Sequence, residues 1–295
     1  MDRKSTRRPD ETWGLHPRLV PAAPFRGSRS RQALEDRKAP TGATGCSLGC
    51  KPQVSKIRSL SFLLMMGLLL AALPARAWDV RRDAPAGDFL EFHRHFSSAA
   101  YFYPRHGASP LGLVGFNVYA DAAVDQDFDD HDYAGTVIDD DLTGGLLAVG
   151  RVGARKGLPA GIDIGVAYGQ AIDSDIDLLS GELQWAIVKG GAVTPAVGLR
   201  LTGTRSMGSD AYQLDQYGAE LMLSKGFAIL TPYVGIGTVY SKGTLDRVLG
   251  PDLEESDTRG VIYGGLTLNL LLPKITVEVE KAEVVQWAAR VSIGL

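Results

Sequence analysis

The sequence predicts an all-β fold, an antiparallel transmembrane β-barrel of about ten strands with eight or twelve as alternatives. Three observations predict it. Beyond residue 110 the apolar residues recur mainly at every second position, which is the period of a strand with one apolar face. The segments joining these stretches alternate between long and short, as connections do at the two ends of a membrane barrel. An export-type segment precedes them all.

That segment divides the chain. Residues 1–55 are rich in Arg, Pro, Ser and Gly, the composition of a disordered or mis-assigned extension. A start at Val54, read as an alternative initiator, would open a normal leader beginning VSKIRSL. Residues 56–77 read KIRSLSFLLMMGLLLAALPARA, a basic start, an apolar core from Leu60 to Leu73 and the small-residue pattern Ala75-Arg76-Ala77. This is the grammar of a signal peptide cleaved after Ala77. The core falls short of the roughly 20 residues that span a bilayer, and no lipobox cysteine follows. Cys46 and Cys50 both lie before it, so their spacing is not read as a metal or redox site. A formal net charge of -3, without a basic stripe interleaved with aromatics, excludes nucleic acid as the expected partner.

Residues 78–110 form an N-terminal segment with one short helix. From Asp88 to Arg105 the residues Phe89, Phe92, His93, Phe96 and Ala100 fall at helical spacing, an amphipathic pattern that suits the membrane interface or the barrel mouth. Pro104 and the stretch Gly107 to Pro110 break it.

Residues 111–295 are the barrel. Strands are expected near 111–124, 143–155, 160–171, 178–189, 192–204, 213–225, 229–242, 258–271, 274–281 and 284–295. In the first, Val114, Phe116, Val118 and Ala120 oppose Gly115, Asn117, Tyr119 and Asp121. In the third, Ile162, Ile164, Val166 and Tyr168 oppose Asp163, Gly165, Ala167 and Gly169; in the fourth, Leu183, Trp185 and Ile187 oppose Glu182, Gln184 and Ala186. A soluble sandwich would alternate in the same way. The polar face, however, carries glycine, alanine and isolated charges at strand centres: Arg151, Asp163, Glu182, Arg200, Glu220, Glu278 and Arg290. Small residues and mixed charges suit a narrow lumen crowded by neighbouring strands. These charges either set ion selectivity across a constriction or satisfy one another in a closed interior.

The long connections are VDQDFDDHDYAGTVIDDDL, IDSDIDL, RSMGSDAYQLD and KGTLDRVLGPDLEESD; the short ones are RKGLPA, KGGA, KGF and LPK. Each short turn carries a lysine, Lys156, Lys189, Lys225 or Lys274, while the long loops are mostly acidic. The last strand, VVQWAARVSIGL, keeps Val285, Trp287, Ala289, Val291, Ile293 and Leu295 on one face to its final residue. In this pattern, over about residues 110 to 295, the chain resembles the small outer-membrane β-barrel proteins of Gram-negative bacteria, porin-like in architecture, although it ends in Leu295 and not in an aromatic residue. The resemblance implies residence in the bacterial outer membrane, contact with its lipids, and insertion by the barrel assembly machinery after export; it leaves the oligomeric state open.

No cofactor motif is present. Asp125, Asp127 and Asp129 open like a calcium loop, but Asp130 stands where an EF-hand needs glycine and Thr136 where it needs glutamate, so the acidic loop reads as a solvated surface and no metal is expected. Ten-stranded barrels include the omptin proteases, which His131 beside Asp130 and Asp132 resembles superficially. His131 is the only histidine after residue 106 and lacks an unmistakable partner set. No catalytic residue is assigned, and the expected role is non-enzymatic: structural, surface-interacting or a narrow pore. The alternative is an outer-membrane hydrolase using His131 and loop aspartates.

Overall fold

Ten strands close on themselves in the computed structural model of this chain, which describes residues 78–125, 133–139, 146–270 and 273–294. The signal-peptide and extension readings, along with Asp127, Asp129 and His131, fall outside these residues.

The strands are β1 (Phe116–Asp125), β2 (Leu147–Gly157), β3 (Ile162–Ala171), β4 (Asp177–Lys189), β5 (Ala196–Met207), β6 (Tyr212–Ser224), β7 (Leu230–Leu245), β8 (Leu253–Asn269), β9 (Lys274–Lys281) and β10 (Val285–Gly294). Each pairs antiparallel with its sequence neighbours, and β1 pairs with β10 from Asn117↔Gly294 to Val124↔Trp287. Closure removes both sheet edges, leaving no row of unpaired backbone groups to face lipid. It also excludes the sandwich.

The faces divide as the sequence pattern requires. Outward stand Val118, Ile164, Val166, Leu183, Val234, Ile236, Val277 and Ile293, all exposed. Tyr168, Tyr217, Tyr240 and Trp287 are exposed near the long-loop end, and Phe116, Trp185 and Phe227 near the short-turn end; two aromatic girdles flanking an apolar band are the outer surface of a transmembrane barrel. Beyond the upper girdle the outward residues become charged, with Arg205 Nε 2.6 Å from Asp215 and Lys242 Nζ 2.9 Å from Glu254.

Several boundaries differ from the sequence reading, β2 and β5 each starting four residues later than expected, and three differences have a visible physical cause. The first strand begins at Phe116 and not at 111, because Gly112 adopts a left-handed φ of 78° and its carbonyl accepts the Gly115 N–H at 3.0 Å, forming a turn. Strand β8 starts at Leu253, opposite Leu245, because the β7–β8 hairpin runs past the apolar band, where polar residues such as Glu254 pair with β7. The helix α1 spans Ala86–Ala99 and stops there; the helical donor to the Ala100 carbonyl would be the N–H that Pro104 lacks, and Arg151 Nη2 donates instead to the Ala100 and Tyr101 carbonyls at 2.7 and 3.1 Å. The location of α1 decides between the two places the sequence offers, the membrane interface or the barrel mouth: it enters the long-loop mouth, with its phenylalanines packed on the inward residues Tyr212, Leu214 and Leu245.

Candidate functional site

The interior is occupied by the chain's own N-terminal segment, and the candidate site is the place where the two meet. At the long-loop end residues 78–84 tie the loops together. Trp78 and Val80 form bridges with Ser174 and Ile138, Asp79 N–H donates to Asp139 at 2.7 Å, and Ser209 Oγ donates to Asp79 at 2.6 Å. From there α1 descends with Phe89, Phe92 and Phe96 packed on Tyr212; the Phe92 and Phe96 rings stack at 5.4 Å and Tyr212 meets Phe92 edge-on at 5.5 Å. A short second helix, α2 (Ala134–Val137), packs against this cluster through Val137.

The inner wall of the barrel supplies the polar partners. His93 Nδ1 lies 2.8 Å from Tyr212 Oη and its Nε2 3.4 Å from Ser241 Oγ. Burial together with the Arg259 charge pushes this imidazole down to about 3, so it is neutral at physiological pH. Ser241 and His93 have the residue types of a nucleophile and base, but both are fully buried beneath the helix, where their bonds anchor α1. Arg259 donates from Nη1 to the Arg94 carbonyl at 2.7 Å and from Nη2 to Ser97 Oγ and Ser241 Oγ. Gln216 Nε2 takes the Ser97 carbonyl at 2.6 Å.

Below α1 the chain runs extended. Tyr101 Oη donates to Glu220 and lies 3.0 Å from Thr202 Oγ1. Phe102 carries the guanidiniums of Arg200 and Arg151 over its ring at 4.8 and 5.9 Å, a cation–π arrangement that helps to offset their desolvation. Arg105 reverses the backbone with a left-handed φ of 46°, uncommon for a residue with a side chain. Its guanidinium reaches Glu280 at 2.8 Å and Asp121 more closely, with Glu278 at 4.0 Å. Three carboxylates from β1 and β9 hold one cation from the segment. Farther down, Ala108 N–H donates to Ser224 Oγ at 2.9 Å, and Leu111 N–H donates to Asp163 at 3.1 Å.

All seven charges singled out in the sequence have buried side chains facing this interior. Arg200 pairs with Glu182 at 2.9 Å and Glu220 at 3.3 Å, and Arg290 with Asp121 at 2.8 Å. Glu220 also accepts from Tyr263 Oη at 3.0 Å. Asp163 accepts from Arg155 at 3.2 Å, and Arg155 also pairs with Glu182. Among the described residues Arg151 meets backbone carbonyls and no carboxylate, and Glu278 lies 4.0 Å from Arg105, beside Glu280 and Tyr233. Sequence reasoning missed Arg105, Arg155 and Glu280 and placed Asp121 on the inner face without giving it a role. The missing signal was the partner: the network is completed by a segment read as lying elsewhere.

The glycines of the inner face have the same explanation. A side chain on Gly218 would begin 2.0 Å from Tyr101 Oη, and one on Gly243 2.3 Å from the His93 ring. Both glycines make room for the inserted segment, not merely for adjacent strands. Among the described residues no group of three or more His, Cys, Asp or Glu is placed to hold a metal; of Asp125, Asp127 and Asp129, which open the acidic loop, only Asp125 is described, buried at the end of β1.

Closure, an apolar exterior with two aromatic girdles and a polar, filled interior define the class: a small β-barrel of the outer-membrane type. No protein-family model matches the chain, and no curated protein sequence matches it. Among solved structures it is similar to the N-terminal β-barrel domain of Pseudomonas aeruginosa OprF, with a TM-score of 0.30 and 14% identity over 62% of this chain and 97% of that one. It is also similar to Ail, the attachment invasion locus protein of Yersinia pestis, solved in complex with the heparin analogue sucrose octasulfate, with a TM-score of 0.27 and 12% identity over 61% and 97%. Neisserial surface protein A gives a TM-score of 0.25 and 12% identity over 61% and 94%. The fold class follows from the closed strand order of this chain and not from these likenesses.

Proposed function

We propose that the protein is a non-enzymatic outer-membrane β-barrel, stoppered by its own N-terminal segment, with a structural or surface-presenting role. One observation carries the reading: charged side chains that would line a channel are instead bonded to residues 93–111 of the same chain. A narrow pore needs a continuous aqueous path, and the inserted segment takes its place. The alternation of long loops with short lysine-bearing turns supports an orientation with the loops outside and the turns in the periplasm. Export by a cleaved signal peptide, insertion by the barrel assembly machinery and contact with outer-membrane lipids through the girdles belong to the same proposal.

The experiment is planar-bilayer recording on barrels whose folding is established by a heat-dependent gel shift. Folded wild-type protein stays electrically silent. Steady conductance would overturn the stoppered reading, and peptidase activity abolished by His131→Ala would overturn the non-enzymatic one.

A further inference from the structure

We propose that the short-turn mouth of the barrel is a binding site for a phosphate-class oxyanion. A cavity of about 180 Å³ opens there between the inserted segment and the inner faces of β1, β2 and β7 to β10, room for several waters at about 30 Å³ each. Its charged and ionisable lining is Arg105, His106, Arg155, Lys274 and Arg290, and the rest includes hydroxyl and amide groups such as Ser292 and Asn117. No carboxylate is among the described residues that line it.

The carboxylates stand behind the lining and fix its donors. Asp121 accepts from Nε and Nη2 of Arg290 at 3.1 and 2.8 Å; Asp163 accepts from Nη2 of Arg155, and Glu182 is ion-paired with the same guanidinium. Among the described residues this leaves Nη1 of each guanidinium without a protein acceptor. Donors held in place from behind lose little freedom on binding, which favours a multidentate acceptor such as a phosphate oxygen set. Glu182 also lies 3.5 Å from His106 Nε2, so the imidazole is engaged from the same side.

Charge bookkeeping sets the strength. The carboxylates offset the guanidiniums in full, and the one lining cation without an ion pair among the described residues is Lys274, which shares the inward register of Thr276 on β9 and stands opposite Ser292 of β10. One cation free of an ion pair and a few fixed donors, in an otherwise charge-balanced setting, make a weak site, with a dissociation constant on the order of 1 mM. Free phosphate and a phospholipid headgroup share this chemistry.

The test is calorimetric titration of the full barrel, refolded in non-ionic detergent at low chloride, with inorganic phosphate. Saturable binding is expected, weakened roughly tenfold by Lys274→Gln, the loss of one charged hydrogen bond, and unchanged by Lys189→Gln, a short-turn lysine outside the cavity. Lys274 lies outside the buried ion-pair network, and the heat-dependent gel shift verifies that the variant folds. Absence of saturable binding to the wild type, or equal binding to the Lys274→Gln variant, overturns the site. Repeating the titration in phosphatidylglycerol nanodiscs separates the sources: retained binding identifies the free anion, and lost binding identifies the lipid headgroup as occupant.

Discussion

Arg105 Nε lies 2.8 Å from Glu280 Oε1, joining the segment that precedes the first strand to the strand before last. The pair is fully buried and shares Arg105 with Asp121, so removing the cation leaves carboxylates in a low-dielectric interior. Breaking a buried pair from one side costs about 3 to 5 kcal/mol. Arg105→Ala therefore lowers the urea midpoint of the refolded barrel without altering the slope of the transition. Arg105→Lys recovers only part of the loss, because an ammonium cannot reproduce the forked donation to Asp121 and Glu280. A midpoint equal to that of the wild type would mean the network contributes nothing.

Gly218 is where the barrel yields to the segment. Gly218→Val drives a side chain into Tyr101 Oη, which a hydrogen-bonded ring held by Glu220 cannot evade. The ten-stranded ladder does not depend on that contact, so the expected product is a closed barrel with a displaced segment. Limited proteolysis reads this as cleavage between residues 86 and 111 in the variant and protection in the wild type. Tyr101→Ala with Thr202→Ala in the same chain restores protection by clearing both groups that a side chain at 218 meets, Tyr101 Oη and Thr202 Oγ1 at 2.6 Å, although Glu220 then loses a donor. If the single variant stays protected, the segment does not pack against β6 as described.

His93 sits on α1, inside the barrel but not itself a membrane span, and its folded value is near 3. An unfolded histidine takes up a proton near pH 6.5. Below that value the unfolded state binds more protons than the folded one, so the contribution of the neutral imidazole is complete above about pH 6.5 and is lost as pH falls toward 3. Between pH 6.5 and 5 stability should decline in the wild type, and more shallowly in His93→Gln by up to about 1.4 kcal/mol per pH unit; the variant keeps a slope of its own because burial pushes His106 down to about 3 as well. Parallel profiles would show that His93 is as accessible to protons in the folded state as in the unfolded one.

These features differ in how far the sequence alone reveals them. Strand β4 is legible because Leu183, Trp185 and Ile187 oppose Glu182, Gln184 and Ala186, and side-chain direction follows from spacing. The same rule gives the inward direction of Glu182, Arg200 and Arg290, whereas the barrel, as against a sandwich, is read from the alternation of long and short connections and the small, charged polar face. It cannot give the helix its place. Phe89, Phe92 and Phe96 define an apolar stripe that would fit a lipid surface equally well; their actual partners, Trp78 and Tyr212, lie on elements whose proximity only the closed fold establishes. Arg105 is hidden for a related reason. Its partner Glu280 is 175 residues away, and its local setting, after a run of aromatics and a proline, carries no mark of an ion-pair hub.

The apolar exterior makes the final prediction. Ile236 lies on the outward face of β7 at 58% exposure, near the middle of a 16-residue strand. If that face meets hydrocarbon, Ile236→Arg costs about 2 to 4 kcal/mol, the penalty for a cation near the bilayer midplane of a barrel. In a water-facing sheet the same exchange of an exposed residue falls within about 0.5 kcal/mol. Equilibrium unfolding from phospholipid vesicles distinguishes the two, with Thr244→Arg as the control: Thr244 stands opposite Glu254, beyond the upper girdle, where added positive charge meets water and an acidic neighbour. A large loss at 236 with none at 244 locates the apolar band across β7. Equal small effects at both positions would place that face in water, and the exposed isoleucines and valines of the exterior would then need another partner to cover them.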